Sequence, residues 1–256
     1  LFVADDVFPD THCLRYHIQI HTEHPEPEYG IMGRLNFDPD LPRTPVMHYL
    51  EESGGFTIVA KGTEGEVQRR GLISANFSIK RAFIKDKEEL FDEDFPYSQN
   101  EDTEFGVRMV AQGLSLHYRV APSCRHHSPF LFDNFFYKVW QAGISKAYWS
   151  EKSPNETNFA NFLRRIVMNK SKEAEYDALF EDYIQTFGKD SFDCDINQWD
   201  TVTYAHFKTL MDNAVAWKAD MGIYDGWERF IPAFTDIAAD VLQANTLKNV
   251  KKRIEV

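Results

Sequence analysis

The pattern of apolar residues changes character partway along this 256-residue chain. Up to about residue 149 it alternates between the period of helices and the period of strands. It predicts a helix over 9–23 with Asp10 or Thr11 as N-cap, a strand over 29–37, and a short helix over 44–51 with Pro45 in its first turn. A strand over 72–79 follows, then a helix over 101–112 that Gly113 closes. Ser98 and Glu101 have capping-box spacing at its start. A strand over 114–120, a turn over 122–129 and an aromatic-faced helix over 132–149 complete this part. Alternating strands and helices specify an α/β fold. After a break at Ser153-Pro154-Asn155 the period is helical throughout, over 156–168, 173–187, 200–221 and 227–245, with Gly188, Gly222 and Gly226 as punctuation. The expectation is an α/β domain over 1–152 and an all-α region over 153–256.

Composition narrows the function classes. Lys and Arg number 28 against 40 Asp and Glu, a net charge of −12, whereas nucleic-acid binders need clustered positive charge. Nucleic acid is therefore not an expected partner. With no apolar run near the length of a membrane span, a soluble chain is expected. Cys13, Cys124 and Cys194 fit no metal or redox spacing, which suits a reducing, cytoplasmic setting. The tail Lys248, Lys251, Lys252 and Arg253 reads as a solvated helix end that complements the dipole; peripheral contact with the inner face of a membrane is the alternative. The glycine-rich stretch 53–71 reads as a mobile surface loop able to order over a ligand.

Three groups can carry chemistry. The chain opens on Phe2-Val3-Ala4-Asp5-Asp6, a buried strand that ends in two carboxylates, suited to a hard divalent cation; the bland alternative is a turn or a helix N-terminal acid pair. His126 and His127 are the second group. Neighbours on a strand face opposite ways, so at most one is a ligand, and a structural histidine is the alternative for each. The third is Glu101-Asp102-Thr103-Glu104, either a capped helix start, with Glu104 and Arg108 an ordinary ion pair, or the carrier of a general base. His12, His17, His21 and His24 form no metal pattern and read as a helix surface.

Together these pieces resemble the family 2 glycosyltransferases of the GT-A fold, from Leu1 to about Tyr148. The family's acidic strand, Pro and helix are matched by Phe2-Val3-Ala4-Asp5-Asp6-Val7-Phe8-Pro9. Then come Asn36-Phe37-Asp38-Pro39-Asp40-Leu41-Pro42, and Ser74-Ala75-Asn76-Phe77-Ser78-Ile79-Lys80-Arg81, the latter similar to the family's acceptor-side segment. Phe91-Asp92-Glu93-Asp94-Phe95-Pro96 leads into Glu101-Asp102-Thr103-Glu104-Phe105-Gly106-Val107-Arg108 with Gly113 beyond. Pro122 and His126 match the final element before an aromatic helix.

The resemblance implies a partial GT-A-type mixed sheet flanked by helices, with an all-α C-terminal extension. It implies metal-dependent inverting transfer from a nucleotide-diphosphate sugar to a glycan, lipid or other hydroxyl acceptor. Asp5 and Asp6 fall on the positions that bind the metal–nucleotide cofactor, Mn²⁺ or Mg²⁺, with Asp6 and His126 the metal ligands and His127 the fallback. Asp102 falls on the catalytic base, and Glu101 on a position that assists acceptor hydroxyls. Two departures stand out. Ala4 occupies a place where many members carry a further Asp, and the family's nucleotide-binding half has no counterpart ahead of Asp5. They motivate the alternatives, an inactive binding or assembly module derived from this fold and, further off, a metal-dependent phosphohydrolase built on Asp5, Asp6 and His126.

Overall fold

The computed structural model describes residues 1–54, 64–67, 71–87, 89–153, 159–188, 193–232 and 234–243. The chain is mixed α/β and separates into two compact units. The first comprises Leu1–Glu93, Glu101–Phe130 and Cys194–Gln198; the second Asp94–Asn100, Leu131–Asp193 and Trp199–Val256. The unit boundary thus falls ahead of the aromatic helix at 132, where the sequence reading divides the chain at 152/153.

The first unit holds β1 (Phe2–Val3), β2 (Val7–Pro9), α1 (Cys13–Glu23), β3 (Tyr29–Phe37), α2 (Pro45–Ser53), β4 (Gly65–Glu66), β5 (Asn76–Ser78), α3 (Arg81–Ile84), α4 (Glu101–Ala111) and β6 (Ser115–His126). The strands form one sheet in the order β1-β5-β3-β6-β2, with β4 also on β6; β3 and β6 are parallel, the other pairs antiparallel. Phe105 and Met109 of α4 pack with Met32, Phe77, Leu116 and Tyr118 of the sheet. Thr44 caps α2 through Met47 N–H, and Pro45 stands in its first turn, as its sequence predicts.

The sheet order has a physical consequence. β1 and β2 stand at opposite ends of five strands, which laid flat would separate them by roughly 19 Å at about 4.8 Å per pairing. Yet only Ala4, Asp5 and Asp6 join them, in a turn closed by a 3.2 Å bond from Val7 N–H to Ala4 O. The sheet must therefore curl so that its edges meet, and Val7, Cys13, Leu35 and Cys124, with Ala4 and Ala75, fill the curl. A bulge interrupts the β3–β6 ladder. Gly33 pairs with Arg119 but Arg34 with Ser123, leaving three residues of β6 over, among them Pro122, which lacks the N–H a ladder needs. A methyl group at Gly33 would collide with the Asn76 amide and Pro122 O.

The bulge corrects the expected strand 114–120 and turn 122–129, because β6 resumes after it and runs to His126. Two other elements are shorter or later than expected. The 72–79 strand is reduced to Asn76–Ser78; α1 begins at Cys13, residues 7–9 being drawn into β2; and neither Asp10 nor Thr11 caps α1, its N-cap being His12 with no side-chain bond. Of the loop expected over 53–71, Gly65 and Glu66 pair with β6, while 55–63 and 68–70 lie outside the described residues, as does the basic tail.

Among the described residues the second unit is helical: α5 (Phe132–Lys152), α6 (Phe159–Lys170), α7 (Glu173–Phe187), α8 (Thr201–Phe230) and α9 (Phe234–Gln243). The expected break at Gly222 and Gly226 is absent; one helix runs through both. A methyl at Gly222 would strike Trp140 O, and one at Gly143 would strike Ala219 O, so these glycines let α5 and α8 approach backbone to backbone. Ala147, Leu163, Ile166, Ile223, Trp227 and Phe234 make the core there, and Asp220, 3% exposed in its side chain, is held by Arg165 at 2.8 and 3.0 Å and by Asn169 at 2.8 Å. Phe207, Trp217 and Trp227 are buried, and Tyr176 stacks on Trp217, in keeping with a core role for the aromatics of this region. No helix among the described residues is long and apolar enough to cross a membrane.

Candidate functional site

Asp5 and Asp6 occupy the turn from β1 to β2. Asp5 is exposed, and Asp6, 37% exposed in its side chain, faces His126. The β2–β6 register sets this meeting: Val7 pairs with His126, and His127 N–H donates to Asp6 O at 2.8 Å. Asp6 Oδ2 and His126 Nε2 lie 3.2 Å apart. His126 Nδ1 lies 3.0 Å from Ser128 O, and Phe37 and Phe130 pack on the ring.

This geometry defines a charge requirement. A carbonyl oxygen only accepts, so Nδ1 must carry hydrogen, and a neutral ring then turns the Nε2 lone pair toward a carboxylate oxygen. A proton shared by the two groups or a metal ion between them would reconcile two acceptors at 3.2 Å. One carboxylate and one imidazole suit Mn²⁺, and Mg²⁺ or Mn²⁺ commonly takes only one or two protein ligands with phosphate and water completing the shell. Asp6 and His126 fit an ion of that kind. No group of three or more His, Cys, Asp or Glu side chains that could hold a metal occurs among the described residues.

His127 points the other way, as strand alternation requires, with its Nδ1 2.9 Å from Asp38 Oδ2. Asp38 is buried; a bond from Asp40 N–H, then His127, holds its carboxyl below the usual range. Arg125 reaches Asp10 at 3.2 Å and Asp38 at 3.5 Å. His127 therefore flanks the Asp6–His126 pair without joining it.

Asp102 lies in the second turn-forming position of α4. Its Oδ2 accepts from Ser74 N–H at 3.3 Å, and its Oδ1 from Thr103 N–H at 2.7 Å. Ala75, next along, accepts from Ala4 N–H at 3.4 Å, and Ala4 opens the Asp5–Asp6 turn. Asp102 is thus tied through Ser74–Ala75 and Ala4 to the turn that carries Asp6. Burial pushes the Asp102 carboxyl up, partly offset by the Ser74 and Thr103 bonds. Glu101 is the first residue of α4, not its third, so the expected capping box with Ser98 does not form. Its Oε2 is buried with no hydrogen-bond partner, and burial, then the neighbouring Asp102, raises its carboxyl to about 7. Glu104 pairs with Arg108 at 2.9 Å, the ordinary i,i+4 bridge.

The histidines of α1 overturn their reading as a helix surface. His17 is buried and His21 half-buried, whereas Leu14 and Ile18 are 57% and 59% exposed. The reason is on the sheet: Asn76 and Ser78 of β5, both buried, present polar groups to α1. Those two residues belong to the segment similar to an acceptor-side motif, and here their side chains turn inward. The i,i+4 pairs Leu14/Ile18 and His17/His21 have equal spacing, so only the partner face decides which is buried.

Comparisons with protein-family models, with curated proteins and with solved structures each find no significant match to this chain.

Proposed function

We propose that the sheet-bearing unit is the metal and acceptor half of a family 2-like, GT-A-type glycosyltransferase that moves a sugar, with inversion, from a nucleotide-diphosphate donor to an acceptor hydroxyl. The observation that carries this reading is the Asp6–His126 pair at 3.2 Å, with the second ring nitrogen already committed to Ser128 O. Asp6 and His126 would hold Mn²⁺ or Mg²⁺, which when bound neutralises the departing diphosphate. Ser128 O fixes the His126 tautomer and ring direction.

Asp102 serves as the proton acceptor. As the acceptor oxygen attacks the anomeric carbon and the bond to the diphosphate breaks, the hydroxyl proton passes to its carboxylate. Ser74 N–H and Thr103 N–H orient that carboxylate, and burial raises its basicity. Glu101, whose buried Oε2 has no protein partner, accepts from a hydroxyl of the acceptor. The protein assayed with Mn²⁺ and a panel of nucleotide sugars is expected to transfer or hydrolyse them. Asp102→Asn should abolish turnover and leave nucleotide binding intact; retained turnover removes Asp102 from the mechanism.

A second reading, a binding or assembly module without turnover, draws on the absence of a third metal-binding side chain among the described residues and on Ala4. Calorimetry with UDP and Mn²⁺ separates the two, since a module without a donor site gives no metal-dependent heat.

A further inference from the structure

A chain of hydrogen bonds runs from the surface to the bulge of β6. Lys80 Nζ lies 2.9 Å from His21 Nδ1 and donates to His24 O at 2.7 Å. His21 Nε2 lies 2.9 Å from Ser78 Oγ, Ser78 Oγ lies 2.8 Å from His17 Nδ1, and His17 Nε2 lies 2.9 Å from Asn76 Oδ1. The Asn76 amide nitrogen donates to both Arg34 O and Pro122 O at 3.0 Å.

The chain has one consistent direction. An ammonium has no lone pair, so Lys80 donates and His21 Nδ1 accepts, leaving hydrogen on its Nε2. Ser78 then accepts from His21 and donates to His17 Nδ1, and His17 Nε2 donates to Asn76. A flipped Asn76 amide would set its oxygen against two carbonyl oxygens, and His17 opposes that flip. Arg34 O and Pro122 O lie where the β3–β6 ladder is interrupted, and both accept from the Asn76 amide.

We propose that Asn76, His17, Ser78, His21 and Lys80 form a positioning device for Asp6 and His126, an inference that rests on reading that pair as the metal-binding one. Ser123 to His126, beyond the bulge, take their register with β3 and β2 from it. A slip of one residue would turn every side chain of that segment over and carry the His126 ring away from the Asp6 carboxylate. The relay prevents the slip by satisfying the bulge in one geometry only, and the missing side chain of Gly33 leaves the space that the Asn76 amide occupies.

The test uses the whole chain labelled with ¹⁵N. A Mn²⁺ titration of the wild type decides the metal reading on its own, and metal-free imidazole ¹⁵N spectra report on the relay. His17→Phe and Asn76→Ala are expected to move the His126 ring resonances and to weaken Mn²⁺ about tenfold or more, the usual size for an outer-shell partner. His17→Gln, whose amide can accept from Ser78 and donate to Asn76, should restore both. Wild-type His126 resonances in a folded His17→Phe protein overturn the proposal, as does His17→Gln behaving no better than His17→Phe. If His17→Phe does not fold, Ser78→Ala decides: displaced His126 resonances support the relay and unchanged ones overturn it. A wild type that binds no Mn²⁺ removes the metal reading and leaves the spectroscopic comparison intact.

Discussion

Each unit has an apolar core, but the packing of α1 in the first and of α5 on α8 in the second rest on different contacts. Around α1, beside the apolar cluster of Val7, Cys13, Leu35 and Cys124, lie buried His17, Ser78 and Asn76 and half-buried His21, whose hydrogen bonds have defined partners. Where α5 meets α8, glycines and aromatic rings dominate the buried surface, with polar groups at Asp220, held by Arg165 and Asn169, and at Ser150, which accepts from Trp227 Nε1 at 2.8 Å. Directional bonds specify the position of neighbouring groups to fractions of an ångström, whereas apolar packing specifies volume and tolerates equivalent fillings. The sheet unit, which carries Asp6, His126 and Asp102, is the one built for position.

The comparison breaks most readily at the helix crossing. Gly222→Val drives a side chain into Trp140 O, a backbone atom that cannot step aside, and is expected to destabilise the protein by about 3 kcal/mol in a urea titration. A variant as stable as wild type would mean that α5 and α8 do not touch there. In the sheet unit, Asn76→Ala should lower stability by about 2 kcal/mol by the same measurement, because it removes the amide that bonds Arg34 O, Pro122 O and His17 Nε2.

Titration gives a smaller and signed effect. Burial, then Lys80, lowers His21 from 6.5 to about 4, so the unfolded chain takes up its proton first. Its stabilising contribution is present above pH 6.5 and is lost as pH falls toward 4. Glu101 runs oppositely: raised from 4.5 to about 7, it contributes below pH 4.5 and loses that contribution as pH rises through 7. Thermal midpoints between pH 4 and 8 should therefore show His21→Gln flattening the acid limb and Glu101→Gln flattening the limb toward neutrality. Unchanged limbs would place both groups in water. The smallest effect belongs to Leu14→Lys and Ile18→Lys, each expected within about 0.5 kcal/mol of wild type, since these side chains are already solvent-exposed. A larger loss would mean that α1 buries its apolar side after all.

Legibility followed the range of the interactions involved. Thr44 with Pro45, Gly113 after α4 and the 3.6-residue period of the helical unit are local signals, and the corresponding helices appear close to where they are expected. Gly222 misled because glycine ends helices through its backbone and also admits a neighbouring helix through its missing side chain, and the sequence holds no record of the neighbour. Asp6 and His126 stand 120 residues apart, and the β2–β6 register joins them. Asp102 and Glu101 were legible as acids at a helix start, but their unequal surroundings, one held by Ser74 and Thr103 and the other with a buried oxygen unpartnered, depend in part on the turn ahead of β5, almost thirty residues earlier.

By itself the sequence determined the alternation of strands and helices, the helical second part, the acid pair at a strand end and the alternation that sets His126 and His127 on opposite sides. These are properties of a few neighbouring residues and the backbone period. Only the tertiary structure decided that α1 buries histidines, that one helix passes through Gly222 and Gly226, and that the β2–β6 register brings Asp6 to His126. Each of those depends on which surface a segment meets, and equal spacing along a helix or strand leaves that choice to the partner.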